Sequence, residues 1–427
     1  MAVLAKSCDH TDQTQDKIYH LGNESMSIAR YSLIAAAVLS ISACGKQEPA
    51  QQAASEPAAS AASAAPSGGG DTVKLGHAAP LTGNIAHLGK DNEYGVKMAI
   101  DEINDAGGAD IGGKKVKFEL VSEDDQADPK TATTVAQRFV DQKVVGVVGH
   151  LNSGTTIPAS KIYSDAGIPQ VSPSATAVAY TAQGFKTTFR VMANDAQQGK
   201  VLGEFAATKL GAKKVAIVDD RTAYGQGLAD EFEKAAKASG AEVVKREFTT
   251  NQETDFNAIL TSIKGAKPDL IFYGGMDAQA APLKKQAKKL GIGAKIMGGD
   301  GTQTPEFIKL SGSDSEGMIS SSPGMPKEQM PGGQAFLDKF KAKFGTEVQL
   351  YAPYCYDSVK VLVEAMKKAG STEPAKYLPE LSKIEYQGVT GNVSFDDKGD
   401  LKNGPITLYQ VKGGKWEVLE IAGGAAK

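Results

Sequence analysis

Cysteine is scarce. Cys8, Cys44 and Cys355 are the three thiols in 427 residues. None stands in a metal-ligand spacing such as C-x-x-C, and three are too few for a disulfide framework. An excess of one charge is missing too. The 47 Lys and Arg face 50 Asp and Glu, for a net charge of -3, which leaves no basic footprint for nucleic acid. The apolar run Tyr31 to Ile41 is too short to span a bilayer as a helix. Catalytic fingerprints are incomplete. Asn152-Ser153-Gly154 lacks the glycines of a G-x-S-x-G elbow. Gly225-Gln226-Gly227 has no third glycine in the dinucleotide spacing, and no Walker lysine follows a glycine loop. His150 lies near Ser153 in sequence with no evident orienting acid, so it reads as a structural hydrogen-bonding residue at a strand end. The expectation is a protein with no cofactor, no metal and no enzymatic step.

What is present fits a water-soluble fold. Hydrophobic residues make up 41% and charged residues 23%. The length exceeds what one core usually organises, so two domains are expected. Lys284, Lys285, Lys288 and Lys289 read as the wet face of an amphipathic helix rather than a binding patch. Cys355, in Tyr354-Cys355-Tyr356, reads as a buried small hydrophobe.

Residues 1–44 read as an address. The run Tyr31 to Ile41 has signal-peptide length, and Ser42, Ala43 and Cys44 follow it. Ile41-Ser42-Ala43-Cys44 resembles a bacterial lipobox, which implies a lipid on Cys44 and a membrane anchor. An ordinary secretory signal cut nearby, or a short buried helix, are the plainer alternatives. Met26, with Arg30 after it, begins a more normal signal than Met1 does, so Met26 is the expected start. Residues 45–70 are Ala, Ser, Gln, Pro and Gly, a linker reaching about 30 Å on average.

From Asp71 onward, strand-like and helix-like segments alternate. Val73 to Ala79 reads as a strand and Tyr94 to Ala106 as a helix. Lys115 to Ser122 is the next strand, Thr131 to Asp141 a helix, Val144 to Gly149 an apolar strand and Thr156 to Ala166 a helix. The rhythm continues through Val215 to Val218, Gly225 to Ser239, Glu242 to Phe248, Phe256 to Ile263 and Leu270 to Tyr273. This alternation predicts an α/β protein with two doubly wound parallel sheets. In such sheets ligands bind beyond the carboxyl ends of the strands.

Three turns lie at such ends. His150 to Thr156 follows VVGVVG, and its small hydroxyl residues at a helix start suit an anion; a plain N-cap is the simpler reading. Pro173-Ser174-Ala175-Thr176 repeats the hydroxyl pattern one unit later, on the same sheet edge. Met297-Gly298-Gly299-Asp300-Gly301 sets an acid between glycines, fit for an ammonium group or merely a wet turn.

Further motifs are Pro80-Leu81-Thr82-Gly83, Glu123-Asp124-Asp125 with Asp128-Pro129, Tyr224-Gly225-Gln226-Gly227-Leu228, Phe272-Tyr273-Gly274-Gly275 and Asp397-Lys398-Gly399-Asp400-Leu401. Together with the turns they resemble the leucine/isoleucine/valine-binding proteins of ABC importers, from Val73 to the C-terminus. The resemblance implies the type I periplasmic-binding-protein fold with a three-strand hinge. It puts lobe 1 at 71–190 plus 323–404 and lobe 2 at 191–322 plus 405–427. It implies that Ser153 and the Thr176 amide hold a ligand carboxylate. The Ser174 carbonyl and Thr176 hydroxyl would receive the ammonium, with Ala175 between them and Asp300 as countercharge. Tyr224 would close over the ligand. Leu88 and Met276 stand where leucine binders carry aromatic residues beside the ligand side chain. Asp277 adds an acid that would compete for the ammonium or select another solute. The implied partners are a free aliphatic amino acid of the branched-chain class and inner-membrane ABC permease subunits, at the periplasmic face of the cell envelope. A sensor of the same fold without transport is the alternative; a nucleotide-dependent oxidoreductase lacks its fingerprint.

Overall fold

The computed structural model describes residues 71–423. The apolar run, the lipidation candidate Cys44, the expected start at Met26 and the linker 45–70 lie outside that range. From the first described residues the chain runs β1 (Thr72–Ala79), α1 (Ala86–Asp105), β2 (Ala109–Ile111), β3 (Lys114–Asp124) and α2 (Pro129–Asp141). It continues through β4 (Gly146–Gly149), α3 (Ser153–Asp165), β5 (Gln170–Ser172), α4 (Ala179–Ala182) and β6 (Thr188–Arg190). These strands make one sheet in the order β2-β3-β1-β4-β5-β6. All its pairings are parallel except the β2–β3 hairpin.

The chain then leaves that sheet and builds a second. In order come α5 (Asp195–Glu204), β7 (Lys214–Asp219), α6 (Ala223–Ala238), β8 (Glu242–Phe248), α7 (Asn257–Ala266), β9 (Leu270–Gly274), α8 (Asp277–Lys289), β10 (Lys295–Gly298), α9 (Pro305–Ser311) and β11 (Ile319–Pro323). A return to the first lobe adds α10 (Gly333–Phe344), α11 (Ala352–Ala369), α12 (Pro374–Leu381), β12 (Glu385–Gln387) and β13 (Asn392–Ser394). There α11 packs on α1 and β4. Finally β14 (Pro405–Lys412) and β15 (Lys415–Gly423) close the second sheet, ordered β15-β14-β11-β10-β9-β7-β8. The chain therefore passes between two α/β lobes three times.

Burial explains the elements. The β4 residues GVVG and the β9 residues LIFYG are buried throughout, as strands covered by helices on both faces must be. Helices α1, α2, α3 and α6 begin earlier than the apolar periodicity predicts. Helix α1 starts at Ala86 rather than Tyr94, because tertiary contacts hold its polar first turns. A Cβ on Gly89 would stand 1.9 Å from the Pro80 carbonyl oxygen, so only glycine lets the helix approach that closely. Asp91 accepts the amides of Gln349, Leu350, Tyr351 and Ala352 at 2.7–3.0 Å and so caps the start of α11. Helix α3 likewise starts at Ser153 rather than Thr156.

The lysine face is only partly wet. Lys285, Lys288 and Lys289 are exposed, but Lys284 is half-buried and its pKa falls through desolvation. Cys355 is fully buried with a free thiol. Among the described residues no helix is long and apolar enough to cross a membrane.

Candidate ligand-binding cleft

The carboxyl ends of β4 and β5 in the first lobe face the end of β10 in the second. At the end of β4, Gly149 has φ +138 and packs where a Cβ would meet the Ala78 carbonyl oxygen at 2.6 Å. His150 follows and is locked. Its Nδ1 lies 2.7 Å from Asp125 Oδ2 and its Nε2 2.9 Å from the Tyr163 hydroxyl, all three buried. Both ring nitrogens are engaged inside the lobe, so His150 orients the turn and serves no neighbouring serine.

Ser153 opens α3, where the first amides have no intrahelical acceptor. Its hydroxyl accepts the Ala177 amide at 3.1 Å and so ties this turn to the one after β5. In that second turn the Ser174 hydroxyl donates to the Leu151 carbonyl at 3.1 Å, and the Ala175 amide donates to Ser172 Oγ at 2.9 Å. Arg190 Nη1 holds the loop from behind, donating to the carbonyls of Ala175 and Ala177 at 2.8 and 2.9 Å. The Ala175 carbonyl is thus spent on the scaffold. The Thr176 hydroxyl is buried beside the Asp195 carboxyl, with no well-aligned hydrogen bond to it or to any other described residue.

The second lobe supplies the acid. Asp300 Oδ1 accepts from Gln198 Nε2 and from the Tyr224 hydroxyl, both at 2.9 Å. Its Oδ2 accepts from the Tyr351 hydroxyl at 2.7 Å, and Tyr351 comes from the first lobe. The Tyr224 hydroxyl also receives the Gly301 amide at 2.9 Å. Burial raises the Asp300 pKa despite these donors. A second acid lies beside it. Asp195 is fully buried, Gln198 Nε2 reaches its Oδ1 at 3.4 Å, and the Thr176 hydroxyl lies beside the carboxyl without a well-aligned bond to its Oδ2. Burial, and then the neighbouring Asp300 charge, push its pKa up to about 8. Asp300 lines a small cavity, and Asp195 with the Thr176 hydroxyl stands beside it through Gln198, so the acceptors here suit a cation with hydrogen-bond donors.

Ser153, Ser174, Tyr224, Met276 and Asp300 line one small cavity of about 10 Å³, with Tyr351 at its edge. Tyr224 and Met276 also line an outer chamber of about 670 Å³ between the lobes, walled by Thr82 and Asp128 on one side and Arg221 and Gln279 on the other. Leu88 lines neither cavity. It is fully buried in the apolar cluster that contains Ile85, Leu151, Tyr224 and Met276. Asp277 lines neither cavity, and its Oδ1 is buried with no partner among the described residues. Its Oδ2 lies 2.8 Å from His87 Nε2 and accepts the Thr304 hydroxyl at 2.6 Å. Among the described residues no group of three or more His, Cys, Asp or Glu is placed to hold a metal.

Asp195, Gln198 and Tyr351 were not legible as site residues. Asp195 and Gln198 sit in the first turn of α5 behind Asn194, in a capping box that any helix start could carry. Tyr351 precedes α11, far from every strand end that the βα rule singles out.

A family model described as periplasmic binding protein matches residues 72–415. The chain belongs to that family. This binding protein is 37% identical over 340 residues to the leucine-, isoleucine-, valine-, threonine- and alanine-binding protein of Pseudomonas aeruginosa, across 80% of this chain and 90% of the relative. It is 36% identical to a Leu/Ile/Val-binding protein homolog of Brucella abortus, across 81% of this chain and 90% of that one. Among solved structures it resembles the leucine-binding protein LivK of Thermotoga maritima, with 29% identity, a TM-score of 0.76, and 82% of this chain and 98% of that one covered. The branched-chain amino acid transporter substrate-binding protein LivJ of Streptococcus pneumoniae, in complex with isoleucine, is 31% identical with a TM-score of 0.74. That match covers 83% of this chain and all of LivJ. The resemblance read from the sequence motifs and the two-lobed α/β fold are therefore borne out. The family consists of solute-binding proteins.

Proposed function

We propose that this binding protein is the extracytoplasmic receptor of an ABC importer and takes a free aliphatic, branched-chain amino acid into the cleft. The observation that carries this reading is the pairing of opposite chemistries over one cavity. Ser153 stands at a helix start suited to a carboxylate. Asp300, on the same cavity, offers acceptors to an ammonium group, and Gln198 joins it to Asp195 with the Thr176 hydroxyl alongside. A zwitterion needs both ends paired before burial becomes favourable. The tyrosines Tyr224 and Tyr351 hold Asp300 from opposite lobes, so closing the cleft completes the acid end.

In this reading Ser153 and the Thr176 amide hold the carboxylate. The Ser174 carbonyl, Thr176 hydroxyl, Asp300 and Asp195 receive the ammonium, and Met276 with Tyr224 faces the side chain. The relatives bind leucine, isoleucine and valine by name, and two of them align over four-fifths of this chain. The hinge follows the three crossings near 190/191, 322/323 and 404/405, and a lipid on Cys44 tethers the domain near permease subunits in the inner membrane. The protein acts by binding, with no cofactor and no chemical step.

The test is isothermal calorimetry of stripped protein against L-leucine, L-isoleucine, L-valine, L-threonine and L-alanine. Micromolar binding, about −8 kcal/mol, is expected for at least one branched-chain member. No heat with any of the five overturns the reading.

A further inference from the structure

The mouth of the cleft carries a contact that the ligand reading does not use. His87 lies in the first turn of α1 in the first lobe, and Asp277 is the first residue of α8 in the second. They meet at 2.8 Å although 190 positions separate them. The Thr304 hydroxyl donates to the same Asp277 oxygen at 2.6 Å and fixes the carboxylate. Asp277 is fully buried, whereas the His87 side chain keeps 19% of its surface in water. Away from the hinge, one other side-chain hydrogen bond joins the lobes among the described residues. That is Tyr351 to Asp300, inside the ligand site. His87 to Asp277 is therefore the lobe-to-lobe bond that lies outside it.

We infer that His87 and Asp277 form a latch across the cleft mouth that sets how long the solute is retained without touching it. The inference rests on the cleft reading above. The bond exists only with the lobes together; when they part, both groups regain water. A contact made only in the closed state lowers the opening rate, and hence solute escape, more than it changes entry. The pair also explains why an acid stands at the start of α8. The helix N-terminus favours a negative charge there, and the imidazole gives that buried charge a partner.

The latch is tied to pH. Desolvation alone would lower the His87 pKa. The hydrogen bond and charge of Asp277 on α8, with Glu306 on α9 and Asp91 on α1 itself, outweigh it and raise the pKa. Lys90 and Glu347 are the other charged groups around His87. A raised pKa in the closed form makes the ionic contribution complete at low pH and lost as pH rises through that pKa.

The experiment uses the full chain and His87→Ala, Asp277→Asn and the double variant, with L-leucine, L-isoleucine and L-valine as probes. Retention of radiolabelled amino acid after dilution gives the dissociation rate, and small-angle scattering of solute-free protein gives the radius of gyration. His87→Ala is expected to raise the dissociation rate about tenfold, by the same factor for every bound probe. The double variant should be no worse than the worse single one, because one bond cannot be lost twice. The ratio of variant to wild-type Kd should be larger at pH 6 than at pH 8.5, and acids common to both proteins cancel in that ratio. The solute-free variant should have the larger radius of gyration. An unchanged dissociation rate overturns the latch, and so does a loss that differs among the three amino acids, which would mean direct contact. If wild type binds none of the probes, the cleft reading fails separately; an unchanged radius in His87→Ala then overturns the latch on its own. Should Asp277→Asn not fold, the partly exposed His87 still carries the test.

Discussion

At the residue scale, the cleft is a problem of burying charge. Asp300 carries three side-chain donors and still has a raised pKa, because desolvation disfavours its charged form more than those donors favour it. An ammonium group between Asp300 and Asp195 would reverse that balance. Replacing Asp300 or Ser153 by alanine is expected to weaken amino-acid binding more than tenfold, about 1.4 kcal/mol, in calorimetry. Unchanged affinity in both variants would remove the cleft assignment. The second acid adds a pH dependence with a definite sign. Burial and the Asp300 charge push Asp195 up to about 8 against the opposing Thr176 hydroxyl and Arg190 charge. A bound ammonium group lowers that pKa, so binding releases a proton and affinity rises as pH climbs toward 8. The slope over pH 6–8 should reach up to about tenfold per unit in wild type and flatten in Asp195→Asn. Proton release, measured as a buffer-dependent binding enthalpy, checks the same point.

At the scale of elements, close backbone approach decides where helices sit. Helix α5 leads the chain into the second lobe and lies against α6, which opens with Ala223 and carries Tyr224. The contact is glycine-sized. A Cβ on Gly199 would meet the Glu231 side chain and the backbone before Phe232 at 2.6–2.8 Å, and one on Gly203 would meet Ala235 and Ala236 at 2.6 Å. Gly203→Val is therefore expected to destabilise the protein by about 1–3 kcal/mol in urea unfolding and to weaken solute binding, since Gln198 and Tyr224 sit on the two displaced helices. A variant as stable as wild type would show that α5 and α6 have room to separate. The early starts of α1 and α3 have the same kind of cause. Polar first turns carry no apolar stripe, and their partners, such as residues 349–352 for α1 and Ala177 for α3, are remote in sequence.

At the scale of the whole molecule, two sheets are joined by three crossings, and the proposed function makes those crossings a hinge that a solute closes. A ligand that binds only the folded closed form stabilises it by mass action. Leucine or isoleucine at 100 times its Kd should add about 2.7 kcal/mol, read as a higher Tm. A gain of that size with no change in the scattering profile would argue that the lobes do not move. The hinge side is braced by Arg190, which is fully buried and bonds Asp400 at 2.6 Å as well as the loop carrying Ala175. The brace therefore links the ligand turn to the last crossing.

The sequence by itself determined the alternation of strands and helices, the parallel sheets, and the three turns at strand ends. Those features depend on local periodicity and on a topological rule that any βα unit obeys. Asp300 and Ser153 were legible because they sit in such turns. Only the tertiary structure decided which further groups share the cavity. Tyr351 reaches it, and Gln198 joins Asp195 to Asp300 beside it, from helix starts that look like ordinary caps, while Asp277 pairs with His87 from the other lobe. Electrostatic partnership between buried groups is set by distance in space, and positions 190 apart in the chain carry no local signal that they will meet.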